Sequence, residues 1–474
     1  MTQPHRITLR ILALLVVAGG LMTSCTDETI VFRDRVLFED PPEGSGAFIG
    51  YTEEADKLTV CGNCHVGQQA EWELTGHADA WDGLQASGGA QAFCEGCHTT
   101  NDQGNSLDVA SGYNAVQDSR YHDVQCEACH GPGLEHVTNP DASQPIASIA
   151  VGSDPAVGCA ECHSGNHHPF IQEWEASKHS GVVSFAAGRE DCAGCHRGQG
   201  ALQAFGVRDE YLEKDAAEHQ PIVCAVCHDP HDGTFDGQLR FPVQTTDVSL
   251  HLCARCHDRR TNPDPNSSHG LEPHSPETAL LEGEAGWFPP GADIDQGLIR
   301  ASHGSEANGA LCATCHVVSF TVTDQETGDF IFNSTGHMFT AIPCVDAQGV
   351  PQAGDCDLDG TSRTFAGCEA CHDLAVIPNI LRTIAQDILN DAETLHTLLL
   401  AVDPNLEAAG GEIDPTDPTF TTAEGAFFNY ALAVFPGADR VDPLMRVAGS
   451  TVHNPFLMRA LLAASIVAVQ DAYP

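Results

Sequence analysis

Lysine is almost missing. The 474 residues hold three, Lys57, Lys178 and Lys214. Lys and Arg together number 21 against 66 Asp and Glu, a formal charge of −45. Without a basic face the chain has no footing on phosphate, which excludes nucleic acid as a partner. Anionic lipid headgroups repel it for the same reason. Aromatics are scarce at 6% and Met number five, so something other than large side chains must fill the interior. Beyond the N-terminal segment no run reaches about 18 apolar residues, so no later part is expected to cross a bilayer. What the chain has instead is 21 Cys, 25 His, 45 Gly and 27 Pro.

The N-terminus reads as a targeting segment, residues 1–24. Arg6 and Arg10 precede an apolar run from Ile11 to Ala18, then Gly19-Gly20 and Leu21-Met22-Thr23-Ser24-Cys25. This is an export signal rather than a spanning helix. It resembles a bacterial lipoprotein signal, which implies lipidation of Cys25 and attachment to a membrane through that anchor alone. Met22 stands where such signals prefer Leu, and ordinary cleavage nearby is the alternative. The expected location is periplasmic or outer-membrane, with the cell surface open.

Export normally turns Cys pairs into disulfides, but the spacing argues otherwise. Cys-x-x-Cys-His occurs nine times, and composition alone predicts about 0.05 occurrences. The copies use Cys61 and Cys64, Cys94 and Cys97, Cys126 and Cys129, Cys159 and Cys162, and Cys192 and Cys195. They continue with Cys224 and Cys227, Cys253 and Cys256, Cys312 and Cys315, and Cys368 and Cys371. Two thiols three positions apart can add to the two vinyl groups of haem, and the next His reaches the iron. Zinc would pair such motifs without demanding a His after each. A redox dithiol would explain one motif, not nine. The expectation is nine covalent c-type haems, with proximal ligands His65, His98, His130, His163, His196, His228, His257, His316 and His372. Fifty mature residues per motif cannot enclose each haem separately. The expected fold is therefore mainly irregular with α-helices, organised around a packed haem chain.

For the sixth iron position, fifteen mature His remain beyond the nine and His5, against three mature Met. Bis-histidine ligation is the default. An internal repeat narrows the choice. Motif starts 61, 94 and 126 recur as 159, 192 and 224, all offset by 98. Glu71-Trp72-Glu73-Leu74-Thr75-Gly76-His77 matches Glu173-Trp174-Glu175-Ala176-Ser177-Lys178-His179, and Ser334-Thr335-Gly336-His337 echoes the same turn. The distal candidates are His77, His179 and His337, then His136 and His231, with His122, His219, His274, His303 and His453 behind them. The organisation expected is a linker (25–55), three-haem modules at 56–150 and 151–245, a degenerate third at 246–375, and a helical C-terminal region (376–474).

These residues resemble the bacterial multihaem cytochromes c. The resemblance rests on Trp72…Thr75-Gly76-His77, on Cys126-Glu127-Ala128-Cys129-His130-Gly131-Pro132-Gly133…His136, and on Cys227-His228-Asp229-Pro230-His231. It points to relatives of the tetrahaem carrier that serves hydroxylamine oxidation and to larger respiratory cytochromes. Val452-His453-Asn454-Pro455 is similar to their C-terminal element, where the His is often an axial ligand. Locally Asn454 suits an N-cap and Pro455 the first helical turn.

Cys344 and Cys356 lie outside the motifs and are expected to form a disulfide. Overlapping them, Asp355-x-Asp357-x-Asp359-Gly360 matches half a calcium loop; Ala366 at position twelve excludes a full EF-hand, and an acidic turn is the alternative. Beyond Asp373 there is no Cys, and Ile377 to Val402 and Pro455 to Val469 read as helices. His396, inside the first, is as good a core residue as a ligand.

Three functional classes fit: an electron carrier in respiratory or extracellular electron transfer, an oxidoreductase with one open haem acting on a small nitrogen or sulfur compound, and a filament subunit. Every motif ends in His and spare His abound, which favours the carrier, with no catalytic residue assigned. Expected partners are redox proteins, either other cytochromes or a quinol-oxidising complex.

Overall fold

The computed structural model describes residues 38–474, apart from 106, 154–155, 166, 208–209, 267–270, 295–298, 300–301, 325, 409, 412–419, 435–439 and 441. The signal segment and Cys25 lie outside the described residues. Residues 40–474 form one compact unit.

From residue 40 to about 375 the chain is loop and short helix. The helices that position the site here are α1 (Val66–Trp72), α2 (Phe170–Glu175) and α3 (Glu277–Glu282). None exceeds two turns, because Gly, Pro and the motifs themselves interrupt the 3.6-residue pattern. Four two-stranded antiparallel sheets occur among the described residues. The longest pairs β1 (Phe320–Thr323) with β2 (Phe330–Ser334), in register Phe320 to Ser334 and Thr321 to Asn333.

Two stretches of this region repeat in three dimensions. Trp72 Nε1 donates to Val124 O (3.0 Å), and Trp174 Nε1 donates to Ile222 O (2.9 Å). Val124 N donates to His77 O (3.0 Å), and Ile222 N to His179 O (3.1 Å). In both, a buried indole ties the turn before a candidate ligand to the extended segment before a motif.

The C-terminal region is helical. It comprises α4 (Ile377–Val402), α5 (Thr422–Val434), α6 (Ala448–His453) and α7 (Pro455–Ala472). α4 buries Leu381, Ala385, Ile388, Leu389, Ala392, Leu395 and Leu399, the three-and-four spacing of one face. α5 is buried on nearly every side, between α4 and α7. Together they make the largest apolar core, joined by Leu280 and Ile299. α7 is long and apolar enough to cross a membrane by length and composition, and it buries Leu457, Met458, Leu461, Leu462 and Val469 in this core. Asn454, fully buried, caps α7 through Leu457 N (3.0 Å) and donates to Leu280 O (3.0 Å) and Ile299 O. That amide holds His453, its neighbour, at the edge of the irregular region.

Candidate haem-binding site

Each motif closes one tight turn. The His N–H donates to the carbonyl of the first Cys, as in His65 to Cys61 (2.9 Å), His163 to Cys159 (2.9 Å), His228 to Cys224 (2.9 Å) and His372 to Cys368 (2.8 Å). Residues three and four apart then share one face, so both thiols and the imidazole emerge together. All eighteen motif Cys are unpaired, although the other two mature Cys of the described region, Cys344 and Cys356, form a disulfide.

Eight motif His rings are each faced by one non-motif His. The pairs His65–His136, His130–His231, His163–His77, His228–His337, His257–His179 and His316–His453 all have ring centroids 6.2 Å apart. His372–His303 lies at 6.0 Å and His196–His274 at 5.7 Å. Rings in contact sit closer, as His122 does on Trp81 at 4.0 Å. A metal bound by two imidazole nitrogens at about 2 Å each would hold the centroids about 6 Å apart. The paired rings therefore fit a six-coordinate iron, and the thiols beside each motif His fit a thioether-linked porphyrin.

In several of these rings the second nitrogen is occupied. Nδ1 meets a backbone carbonyl in His130 (Pro145 O, 2.7 Å), His136 (Ser143 O, 2.7 Å), His228 (Gly237 O, 2.6 Å), His303 (Val452 O, 2.7 Å) and His316 (Phe339 O, 2.9 Å). A carbonyl can only accept, so Nδ1 carries the proton and Nε2 keeps its lone pair for metal. Burial pushes His163, His179 and His453 down to about 4 and lowers His77, His228, His316 and His337. The neutral ligand form is thus favoured. Two pairs differ in that Nδ1 faces a carboxylate at 3.5 Å, Glu277 for His257 and Asp229 for His231.

His98 is the exception. Its Nδ1 meets Ala80 O (2.7 Å) like the others, but among the described residues no His ring stands opposite it. His168 lies within electrostatic reach of it. Two distal candidates face no motif His among the described residues. His122 stacks on Trp81 and contacts Glu54 (3.1 Å); His219 sits beside Gly188. His396 stacks on Tyr430 at 4.4 Å inside the helical core.

The motifs also touch one another. The thiols of Cys61 and Cys126, Cys97 and Cys162, Cys159 and Cys224, Cys195 and Cys256, and Cys253 and Cys312 lie close enough to interact. Cys129 interacts with Cys159, Cys227 with Cys253, and Cys315 with Cys368. Taken by first Cys, the motifs therefore run 61, 126, 159, 224, 253, 312, 368, with 94 beside 159 and 192 beside 253. Sequence order is not spatial order. Local spacing had no means of revealing this path.

Buried carboxylates brace the site. Glu127, inside the third motif, accepts from Ile49 N (3.0 Å), Gly50 N (2.8 Å) and Gly133 N (2.6 Å). Glu173 does the same for the turn carrying His337. The Asp355–Asp359 loop spends its oxygens differently. Asp355 meets Arg363 (3.4 Å) and Arg440 (3.6 Å), while Asp359 accepts from Thr361 N (2.8 Å) and Ser362 N (2.7 Å). Those contacts tie the acidic turn to arginine.

Comparison with known proteins agrees with this geometry. Residues 60–131 match the family model of cytochrome c554 and c-prime, and residues 215–262 match a doubled CXXCH motif. Multiheme cytochrome MtrA of Shewanella baltica (strain OS185) is 27% identical over 192 residues, which cover 36% of this chain and 53% of that protein. The chain thus spans about half the length of this relative. No solved structure matches. Turns that present two thiols and an imidazole, opposed by a second imidazole across a metal-sized gap, agree with those matches: the chain resembles the bacterial multihaem cytochromes c, and its CxxCH turns suit covalently bound c-type haem.

Proposed function

We propose that the protein is an exported nonahaem cytochrome that passes electrons along one haem chain between redox partner proteins. The observation that carries this reading is the pairing of eight motif His with eight further His at 5.7–6.2 Å. Haem supplies a one-electron Fe(III)/Fe(II) couple. The two imidazoles of each pair would hold the iron in both oxidation states, so that little rearrangement would accompany transfer and no place would be left for substrate. The contacts between motifs support a continuous route from the 61 motif to the 368 motif, with side members at 94 and 192. The repeated Trp72 and Trp174 contacts support three-motif modules at 56–150 and 151–245, followed by 246–375 and the helical region 376–474. The N-terminal pattern supports a lipid anchor on Cys25 and a periplasmic or outer-membrane location. The acidic surface favours partners with basic or neutral docking faces and makes association salt-dependent.

Pyridine haemochrome analysis with protein quantitation tests the count, and nine per chain is expected; seven or fewer defeats the reading. A second reading draws on His98. An iron with no opposing ring can take a small ligand, which is what an oxidoreductase for a nitrogen or sulfur compound needs. Ferric spin-state quantitation separates the two. A carrier shows at most one high-spin centre that does not turn over nitrite or hydroxylamine, and an enzyme shows one that does.

A further inference from the structure

The turn that presents His337 is held from another part of the chain. Glu173, on α2, is buried at 3% exposure. Its Oε1 accepts from Ser334 Oγ (2.7 Å) and Thr335 N (3.0 Å). Its Oε2 accepts from Thr335 Oγ1 (2.7 Å) and His337 N (2.7 Å). Every donor lies within three residues of the imidazole that faces His228. Phe170, one turn earlier on α2, packs its ring edge-on against His337 at 4.8 Å. On the other side Gly336 has φ +79°, and a Cβ there would sit 2.5 Å from the backbone of Val317 and Val318. The turn is thus clamped between α2 and the segment just after the His316 motif. The matching residue of the first repeat, Glu71, is exposed, so the repeat alone does not require a carboxylate in this role.

We propose that Glu173 is a positioning residue for the iron bound at His228: its carboxylate holds His337 at ligand distance and keeps that iron six-coordinate. The inference rests on the reading of His228 and His337 as an axial pair. A carboxylate suits the task because it only accepts, with about four lone-pair sites for converging donors. A Gln at 173 offers one accepting oxygen and turns an NH2 group toward donors. Whichever way it turns, that NH2 faces the N–H of Thr335 or of His337, and a buried donor pressed against another donor is costly.

The test compares wild-type holoprotein with His337→Ala, Glu173→Gln and the double variant, each with its haem content measured. The readouts are the ferric high-spin signal and carbon monoxide binding by the reduced protein. His337→Ala is expected to add one high-spin, carbon-monoxide-binding centre per chain. Glu173→Gln adds the same centre in part of the molecules, and the double variant adds no more than His337→Ala alone. If His337→Ala opens an iron while Glu173→Gln stays like wild type, the positioning role is overturned. If His337→Ala opens none, the axial pair itself is wrong. Should Glu173→Gln fail to accumulate, Ser334→Ala/Thr335→Val removes two hydroxyl donors from the same carboxylate. That variant must also raise carbon monoxide binding, and its failure to do so overturns the proposal equally.

Discussion

His77 and His163 face each other with ring centroids 6.2 Å apart, although His77 follows the 61 motif and His163 closes the 159 motif. The His facing His65 comes instead from His136, beyond the 126 motif. His65 and His77, twelve positions apart, therefore face partners from different motifs.

This crossing gives a sharp expectation. His77→Ala and His136→Ala should each add one high-spin ferric centre, on the His163 and His65 irons respectively. The double variant should add two, since separate sites behave additively. If both His served the iron at His65, the double variant would add one only.

The paired indoles are tested by stability. Trp174→Phe keeps the ring but deletes the hydrogen bond to Ile222 O, and should cost about 1 kcal/mol. Trp174→Ala should cost about 3–5 kcal/mol through the cavity it leaves. Denaturant unfolding followed by haem absorbance measures both. Equal stabilities for wild type and Trp174→Phe would show that the indole N–H contributes nothing.

The Cys344–Cys356 bridge closes a loop of twelve positions. Cys344→Ser/Cys356→Ser should lower stability by about 3 kcal/mol on the chain-entropy estimate. The haem count should not change, because neither Cys belongs to a motif. A loss of one haem would show that this loop also builds the neighbouring site.

Glu277 stands 3.5 Å from His257 Nδ1. α3 is tied to the same residue through Thr278, whose N and Oγ1 both donate to His257 O (3.1 and 2.6 Å). A carboxylate on the far nitrogen strengthens an imidazole as a donor and favours the ferric state. Glu277→Gln should therefore raise one midpoint potential in a spectroelectrochemical titration. Unchanged potentials would make Glu277 a structural cap.

Cys25 is tested by fractionation. Cys25→Ser should move the protein from membranes into the soluble fraction; an unchanged distribution would favour ordinary signal cleavage.

The attachment chemistry was legible in the sequence because it is local: one helical turn fixes two Cys and a His together. The irregular fold with a helical end was legible too, from sparse aromatics and the Cys-free stretch after Asp373. The distal side was legible only as a set of candidates. Eight of the ten stand opposite a motif His, and five of these (His77, His136, His179, His231 and His337) occupy repeated positions. His122 shares a repeated place with His219, yet it stacks on Trp81. Periodicity says that a position matters without saying to whom. Partner identity is long-range: His337 reaches back to His228, and nothing within either segment records the distance. Counting fifteen spare His against nine irons gave no sign that His98 would face no His ring among the described residues.

The crossed pairing bears on how such a chain can change its length over generations. Excising residues 56–150 would discard three motifs, and it would also strip His163 of the imidazole it faces and leave His231 with nothing to face. The segments look like interchangeable beads, but each lends a hand to the next. Recombination can therefore add or drop one without damage only where the loans on both sides are settled at the same time.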